Sequence, residues 1–122
     1  MNKRQIRGSN AQKWGRAAET LAAQHYINQG AQILARNLRT PFGEIDLIAQ
    51  QKDTVIFIEV KARKSLNDAA FAWQPRQQQR LIQAIEHYQN SLPSPLSLLR
   101  IDLVCMDPNH QIEVLENISF DL

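Results

Sequence analysis

In the first part of the chain, Trp14, Ala18, Leu21 and Ala22 recur at i, i+4, i+7 and i+8, the spacing of one helical face. Asn10 offers an N-cap and Gly30 a stop, so a helix is expected over 11–29. The period then shortens. Ala31–Asn37 reads as a strand and Thr40-Pro41-Phe42-Gly43 as a turn. Two runs rich in β-formers follow, Glu44–Ala49 and Thr54–Val60, and the polar Gln50–Asp53 between them makes the pair a hairpin. Ser65–Pro75 has weak periodicity, contains Asn67, Asp68 and Pro75, and reads as a loop. Over 76–90, Leu81, Ile82, Ile85 and Tyr88 mark an amphipathic helix, which Ser91–Pro95 breaks. Leu98–Met106 reads as a fourth strand and Gln111–Leu115 as a fifth. The order is αβββαββ. The hairpin is antiparallel, and the helical crossover from the third strand to the fourth predicts a parallel pair. The expected fold class is therefore α/β, a mixed five-stranded sheet with flanking helices. It forms a single domain over 1–122, with residues 1–10 expected to be flexible.

Composition narrows the setting. A chain of 122 residues has room for one core and can fold without covalent staples. No apolar run approaches the roughly 20 residues that span a bilayer. The stretch Met1–Gly15 is basic and polar, without the apolar centre of a secretion signal. The single cysteine, Cys105, cannot form an internal disulfide and lies in an apolar stretch, where a small buried hydrophobe is expected. These features predict a cytoplasmic protein without a membrane partner. Net charge is only +2 but unevenly placed: Lys3, Arg4, Arg7, Lys13 and Arg16 all precede the first acid, Glu19, whereas only acids follow Arg100. The basic leading segment suits a polyanion. A solvated terminus explains it equally well.

The hairpin carries the chemistry. With its loop closed symmetrically between Lys52 and Asp53, Gln51 faces Thr54 and Asp46 faces Glu59; two- and four-residue loops both give this register, and a three-residue loop shifts it by one. Opposed residues share a face with Cβ atoms about 4.5–5.5 Å apart. Lys61 lies two residues beyond Glu59 on that face, displaced by about 6.6 Å along the strand. Ile45, Leu47, Ile56, Ile58 and Val60 alternate with them, and theirs is the face expected to be core. Two facing carboxylates repel, and a hard divalent cation with oxygen ligands relieves that repulsion. Lys61 could then orient a water nucleophile or steady charge on a phosphate oxygen. The plain alternative is a solvated sheet face with a weak Asp46–Lys61 salt bridge.

Other candidates cluster around this pair. Glu19 lies beside Gly15, Ala22 and Ala23, whose small side chains let the first helix approach the sheet, and Glu44 shares a strand face with Asp46. Arg36, Arg39, Arg63 and Lys64 flank the hairpin, as phosphodiester chemistry requires: basic arms hold phosphates while acids hold the metal. Phe71 and Trp73 fit base stacking, core packing or a dimer contact. His25, His87 and His110 show no zinc-ligand spacing and read as surface or packing residues. No phosphate-binding Gly-rich loop or nucleophile elbow is present.

Several blocks together resemble a known family. Gly15-Arg16-Ala17-Ala18-Glu19, Arg36-Asn37-Leu38-Arg39, Gly43-Glu44-Ile45-Asp46-Leu47-Ile48, Phe57-Ile58-Glu59-Val60-Lys61-Ala62-Arg63 and Arg100-Ile101-Asp102 look like the small bacterial YraN-type family. The resemblance covers nearly the whole chain. It implies a restriction-endonuclease-like fold, similar to that of archaeal Holliday junction resolvases with their PD-(D/E)xK motif. By that resemblance Asp46, Glu59 and Glu19 would bind Mg²⁺ or Mn²⁺, and Lys61 would be the catalytic lysine. Glu19, Asp46, Glu59 and Lys61 are thus the expected catalytic set. Arg16, Arg36, Arg39, Arg63, Lys64 and Gln77 are the expected nucleic-acid contacts. Two departures stand out: Ala18 occupies a position where the family usually has Gly, and Gln77 one where the second helix usually offers Lys.

Three functional readings remain open at this level. The first is a metal-dependent nuclease or nuclease-like protein that hydrolyses phosphodiesters of DNA or structured nucleic acid with a water held by Mg²⁺. The second is a non-catalytic nucleic-acid-binding module of the same fold. The third is a protein-interaction or assembly factor using the Phe71/Trp73 loop. A homodimer is expected only by analogy with resolvases.

Overall fold

A computed structural model describes the backbone of residues 3–96 and 98–118, and within them the side chains from Trp14 onward. Helix α1 spans Lys3–Asn28, followed by strands β1 (Gln32–Thr40), β2 (Gly43–Gln51) and β3 (Thr54–Ala62). Helices α2 (Leu66–Phe71) and α3 (Pro75–Asn90) lead to β4 (Leu98–Met106) and β5 (Ile112–Leu115). The five strands lie side by side in chain order. Among the described strands, only β3 and β4 run parallel, because the α2–α3 crossover returns the chain to the same end of the sheet.

Both faces of the sheet are covered, which differs from the expectation of one buried face on the hairpin. Ala18, Ala22, Ala23 and Tyr26 form the inward stripe of α1 and pack on Leu47, Ala49, Ile56, Ile58 and Val104. Three alanines in that stripe bring the helix axis close to the strands. On the opposite face Leu81, Ala84 and Ile85 of α3 pack on Ile45, Ile48, Val55 and Phe57. A sheet with helices on two sides buries consecutive residues, so Ile56, Phe57 and Ile58 are all fully buried. Truncating Ile58 would cost about 2–5 kcal/mol through lost burial and the cavity left behind.

The strand boundaries follow the expected pattern within a few residues, but two helices differ. Helix α1 begins at Lys3, so Asn10 lies inside it rather than capping it. The side chains of Lys3, Arg4, Arg7 and Lys13, part of the basic leading segment, lie outside the described residues. The segment read as a loop contains α2. Ser65 caps it by accepting from the Asp68 backbone N–H at 3.0 Å. Six residues are too few for periodicity to register, and the cap is their only local signal. Helix α3 opens with Pro75 in its first turn, where its missing N–H costs nothing.

One buried polar cluster ties α1 to β4. Asp102 is fully buried and accepts from Tyr26 Oη at 2.7 Å, from Arg100 Nε and Nη2 at 2.9 and 3.0 Å, and from the Asn117 backbone N–H at 2.9 Å. Burial pushes the Tyr26 hydroxyl far above the usual phenol range, and its hydrogen bond to Asp102 adds to this. The carboxylate raises the Arg100 guanidinium in turn. Tyr26 lies two turns along α1 from Glu19, so this bond also sets where Glu19 sits over the sheet. Among the described residues, no helix is long and apolar enough to cross a membrane.

Candidate metal centre and nucleic-acid interface

The β2–β3 ladder sets the site. Its five pairs run from Gln51↔Thr54 to Leu47↔Ile58. That is the register in which Asp46 comes opposite Glu59. Regular pairing stops just before these two acids. Beyond it, β3 continues against β4, with Glu59 beside Leu103 and Lys61 beside Cys105. The Asp46 side chain takes the place of a backbone acceptor: its Oδ2 receives the Val60 N–H at 2.8 Å. The strand also turns over here. Ile45 and Leu47 are two positions apart, yet one packs under α3 and the other under α1. Across the β1–β2 ladder, between the pairs Arg36↔Leu47 and Leu38↔Ile45, Asn37 adopts a left-handed backbone with φ of 50°. Asn tolerates that region better than most residues.

This local break carries Asp46 toward α1. The carboxylates of Glu19, Glu44 and Asp46 converge, with one oxygen from each lying within 4.8 Å of the others. Glu59 lies within hydrogen-bonding reach of Asp46 and pairs with Lys61, whose Nζ lies 3.2 Å from Glu59 Oε1. A cavity of about 280 Å³ opens over Glu19, Asp46, Glu59 and Lys61, floored by Gly15 and Ala18 of α1 and rimmed by Trp14 and Arg63. Gly15 and Ala18 keep the helix side of this cavity clear.

Crowded acids shift one another. Burial and the neighbouring Asp46 push Glu59 up to about 7, and the close Lys61 only partly offsets them. Asp46 is raised by burial, against the pull of the Val60 N–H and Lys61. Glu19 is raised by burial and then by Asp46, while a hydrogen bond from the Asn37 side chain holds it back. The cluster thus has more negative charge than its own cations neutralise. The donor set is all carboxylate oxygen. Glu44 is exposed, which leaves room for solvent ligands. A hard divalent ion such as Mg²⁺ or Mn²⁺ fits this set; a soft metal, which favours Cys or His, does not.

The structure brings together Glu19, Asp46, Glu59 and Lys61, and adds Glu44 to the tight acid group in place of Glu59. Among the expected nucleic-acid contacts, Arg63 lines the main cavity, its Nη1 donating to Ala62 O at 2.8 Å. Gln77 lines a second cavity of about 200 Å³ together with Gly43, Glu44, Glu59, Lys61, Arg80 and Leu81, and its Oε1 is buried with no hydrogen-bond partner among the described residues. Arg16, Arg36, Arg39 and Lys64 are exposed and line neither cavity. Asn37 was not singled out for the site; an Asn at a strand position was the available clue, and its backbone conformation was not legible. Arg80 was missed because it reads as an ordinary exposed helix cation. The aromatic and histidine readings resolve separately. Trp73 packs between the α3 core and the α2 cluster, whereas Phe71 is 79% exposed. His110 stacks on Trp14 at 5.6 Å, and His87 meets Phe42 edge-on at 6.2 Å. Cys105 is buried, and burial pushes its thiol up to about 11.

Sheet order, crossover and the acid–lysine end of the β2–β3 hairpin define a protein of restriction-endonuclease-like fold. The sequence profile of the uncharacterised protein family UPF0102 matches residues 18–106, and the chain belongs to that family. It is 47% identical over 95 residues to a UPF0102 protein of Rhodopseudomonas palustris strain BisA53, covering 77% of this chain and 73% of that protein. A UPF0102 protein of Bradyrhizobium sp. strain BTAi1 is 48% identical, with 77% and 70% covered. Another, of Bradyrhizobium sp. strain ORS 278, is 50% identical, with 77% and 67% covered.

Proposed function

We propose that this protein is a divalent-cation-dependent nuclease, or a nuclease-like protein, acting on phosphodiesters of DNA or structured nucleic acid in the cytoplasm. The observation that carries this reading is the convergence of Glu19, Glu44 and Asp46 beside the Glu59–Lys61 pair in one open cavity. When bound, a divalent ion supplies Lewis-acid polarisation of a phosphoryl oxygen and lowers the pKa of water. Glu19, Glu44 and Asp46 would hold the ion, with Glu59 as a further acid at its edge. Lys61, kept in place by Glu59, brings a positive charge to a developing phosphate oxyanion. Asn37 positions Glu19, and the Val60 N–H positions Asp46. Arg63 on the rim offers charge to a backbone phosphate.

A second reading, a nucleic-acid-binding module without turnover, is favoured by one feature. Gln77 supplies an amide rather than a cation to the wall of the second cavity, which weakens phosphate contact there. Incubating the protein with branched, single-stranded and duplex DNA and Mn²⁺ separates the two. Products that appear in wild type and vanish in Lys61→Ala support the nuclease; binding with no metal-dependent product supports the module.

A further inference from the structure

Helix α3 carries a polar flank that the acidic centre does not use. Arg76, Arg80, Gln83 and His87 follow one another at spacings of four, three and four residues, and all are exposed. That spacing puts them in one line along the helix, about 16 Å long. Among the described residues, neither Arg76 nor Arg80 makes an ion pair. The acid Glu86 on the same helix is roughly a quarter-turn away from this line. The line passes the site one turn in from its first residue, because Arg80 lines the second cavity, whose wall also contains Glu59 and Lys61. The other end meets an aromatic ring. Phe42 is 45% exposed and rests edge-on against His87. Its turn is braced by Thr40, whose Oγ1 accepts from the Phe42 N–H and donates to Gly43 O.

We propose that this flank of α3 is the track along which one nucleic-acid strand reaches the acidic centre, with Arg76 and Arg80 on its phosphates and Phe42 stacking on a base at the far end. The inference rests on the nuclease-like reading and adds the route of the substrate. The second cavity, of about 200 Å³, has room for a sugar-phosphate, and an exposed ring at the end of the line suits an unpaired base, so the occupant is a single strand. Charge complementarity favours a polyanion. With about 3.4 Å of rise per stacked nucleotide, the line spans several phosphates. An exposed, braced aromatic ring beside cations is the recurring device for holding unpaired bases.

The test is fluorescence anisotropy of a labelled oligothymidine with the full chain, titrated from about 50 to 200 mM salt. The double variant Arg76→Gln/Arg80→Gln should lower the magnitude of the log K against log salt slope by about 1.4 and weaken binding about tenfold at the low-salt end. Phe42→Ala should lose about fivefold or more without changing the slope. Arg80→Lys, which keeps the charge, should keep the wild-type slope. Lys52→Asn, at the distant β2–β3 turn, should bind as wild type does. Wild-type binding that is unchanged in affinity and slope in the Arg76/Arg80 variant overturns the track and leaves the nuclease-like reading standing. No binding of oligothymidine by wild type at low salt overturns the track; no binding of duplex or branched DNA under the same conditions overturns that reading with it. Thermal unfolding of each variant alongside keeps misfolding from passing as loss of contact.

Discussion

Asp102 and Asp46 are both acids on sheet strands beneath α1, and they end in opposite states. The oxygens of Asp102 receive a phenol, a guanidinium and a backbone N–H, so its charge is fully compensated inside the fold. Asp46 has one backbone N–H, and its neighbours Glu19, Glu44 and Glu59 are acids; Lys61 opposes them, with a weaker pull from Arg36 on Glu19. The first arrangement is closed and holds the molecule together. The second is open and lacks positive charge. Burying a carboxylate costs little when its donors are present and a good deal when they are absent. The difference between the two clusters separates an acid whose charge the fold compensates from one whose charge it leaves largely uncompensated.

The largest effect should come from breaking the closed cluster. Asp102→Ala leaves Arg100 and Tyr26 without their partner and is expected to cost about 3–5 kcal/mol in urea denaturation. A loss below about 1 kcal/mol would show that the cluster is not the anchor described. Next in size is the response of the open cluster to pH in metal-free protein. Glu59 is raised from 4.5 to about 7, so the folded state holds a proton that the unfolded state releases over this window. Stability must therefore fall as pH rises from about 4.5 to 7, by on the order of 3 kcal/mol from this group. Mg²⁺ should restore part of it near neutrality. A metal-free stability curve that rises across that window would contradict the charge excess assigned to the site.

Smaller again is Tyr26→Phe, which removes one hydrogen bond to a charged group and should cost about 1.5–3 kcal/mol by thermal or urea unfolding. The least effect is expected at the open cluster itself. Asp46→Asn removes a crowded charge and should leave metal-free stability at neutral pH within about 1 kcal/mol of wild type, or slightly above it. The same variant should lose the stabilisation by Mg²⁺. A large destabilisation by Asp46→Asn, comparable with that of Asp102→Ala, would erase the contrast between the two clusters.

Much of this was legible in the residues, and the exceptions have physical causes. The opposition of Asp46 and Glu59 follows from closing the β2–β3 loop symmetrically, and the ladder runs in that register. The β4 strand and α3 follow from apolar runs long enough to show a period. Helix α2 was missed because six residues hold less than two turns. The covered second face was not expected, since the alternating charges Glu59 and Lys61 on β3 suggested an open surface. In fact Phe57 is buried under α3, while Glu59 and Lys61 on the same strand line cavities. Glu44 displaces Glu59 from the tight acid group because β2 turns over at Asp46, opposite the left-handed Asn37. A period-two pattern carries no trace of such a break. The Tyr26–Asp102 bond joins residues 76 positions apart, and no local pattern signals a contact at that range.

The central claim is that Glu19, Glu44 and Asp46 form a cation site. Calorimetric titration of Mn²⁺ into the metal-free protein at neutral pH tests it most directly. Saturable binding in wild type, abolished in Asp46→Ala, weakened at least tenfold in Glu19→Gln and retained in Asp102→Asn where that variant folds, is the predicted result. Equal affinity in wild type and Asp46→Ala, or no saturable binding at all, would contradict it.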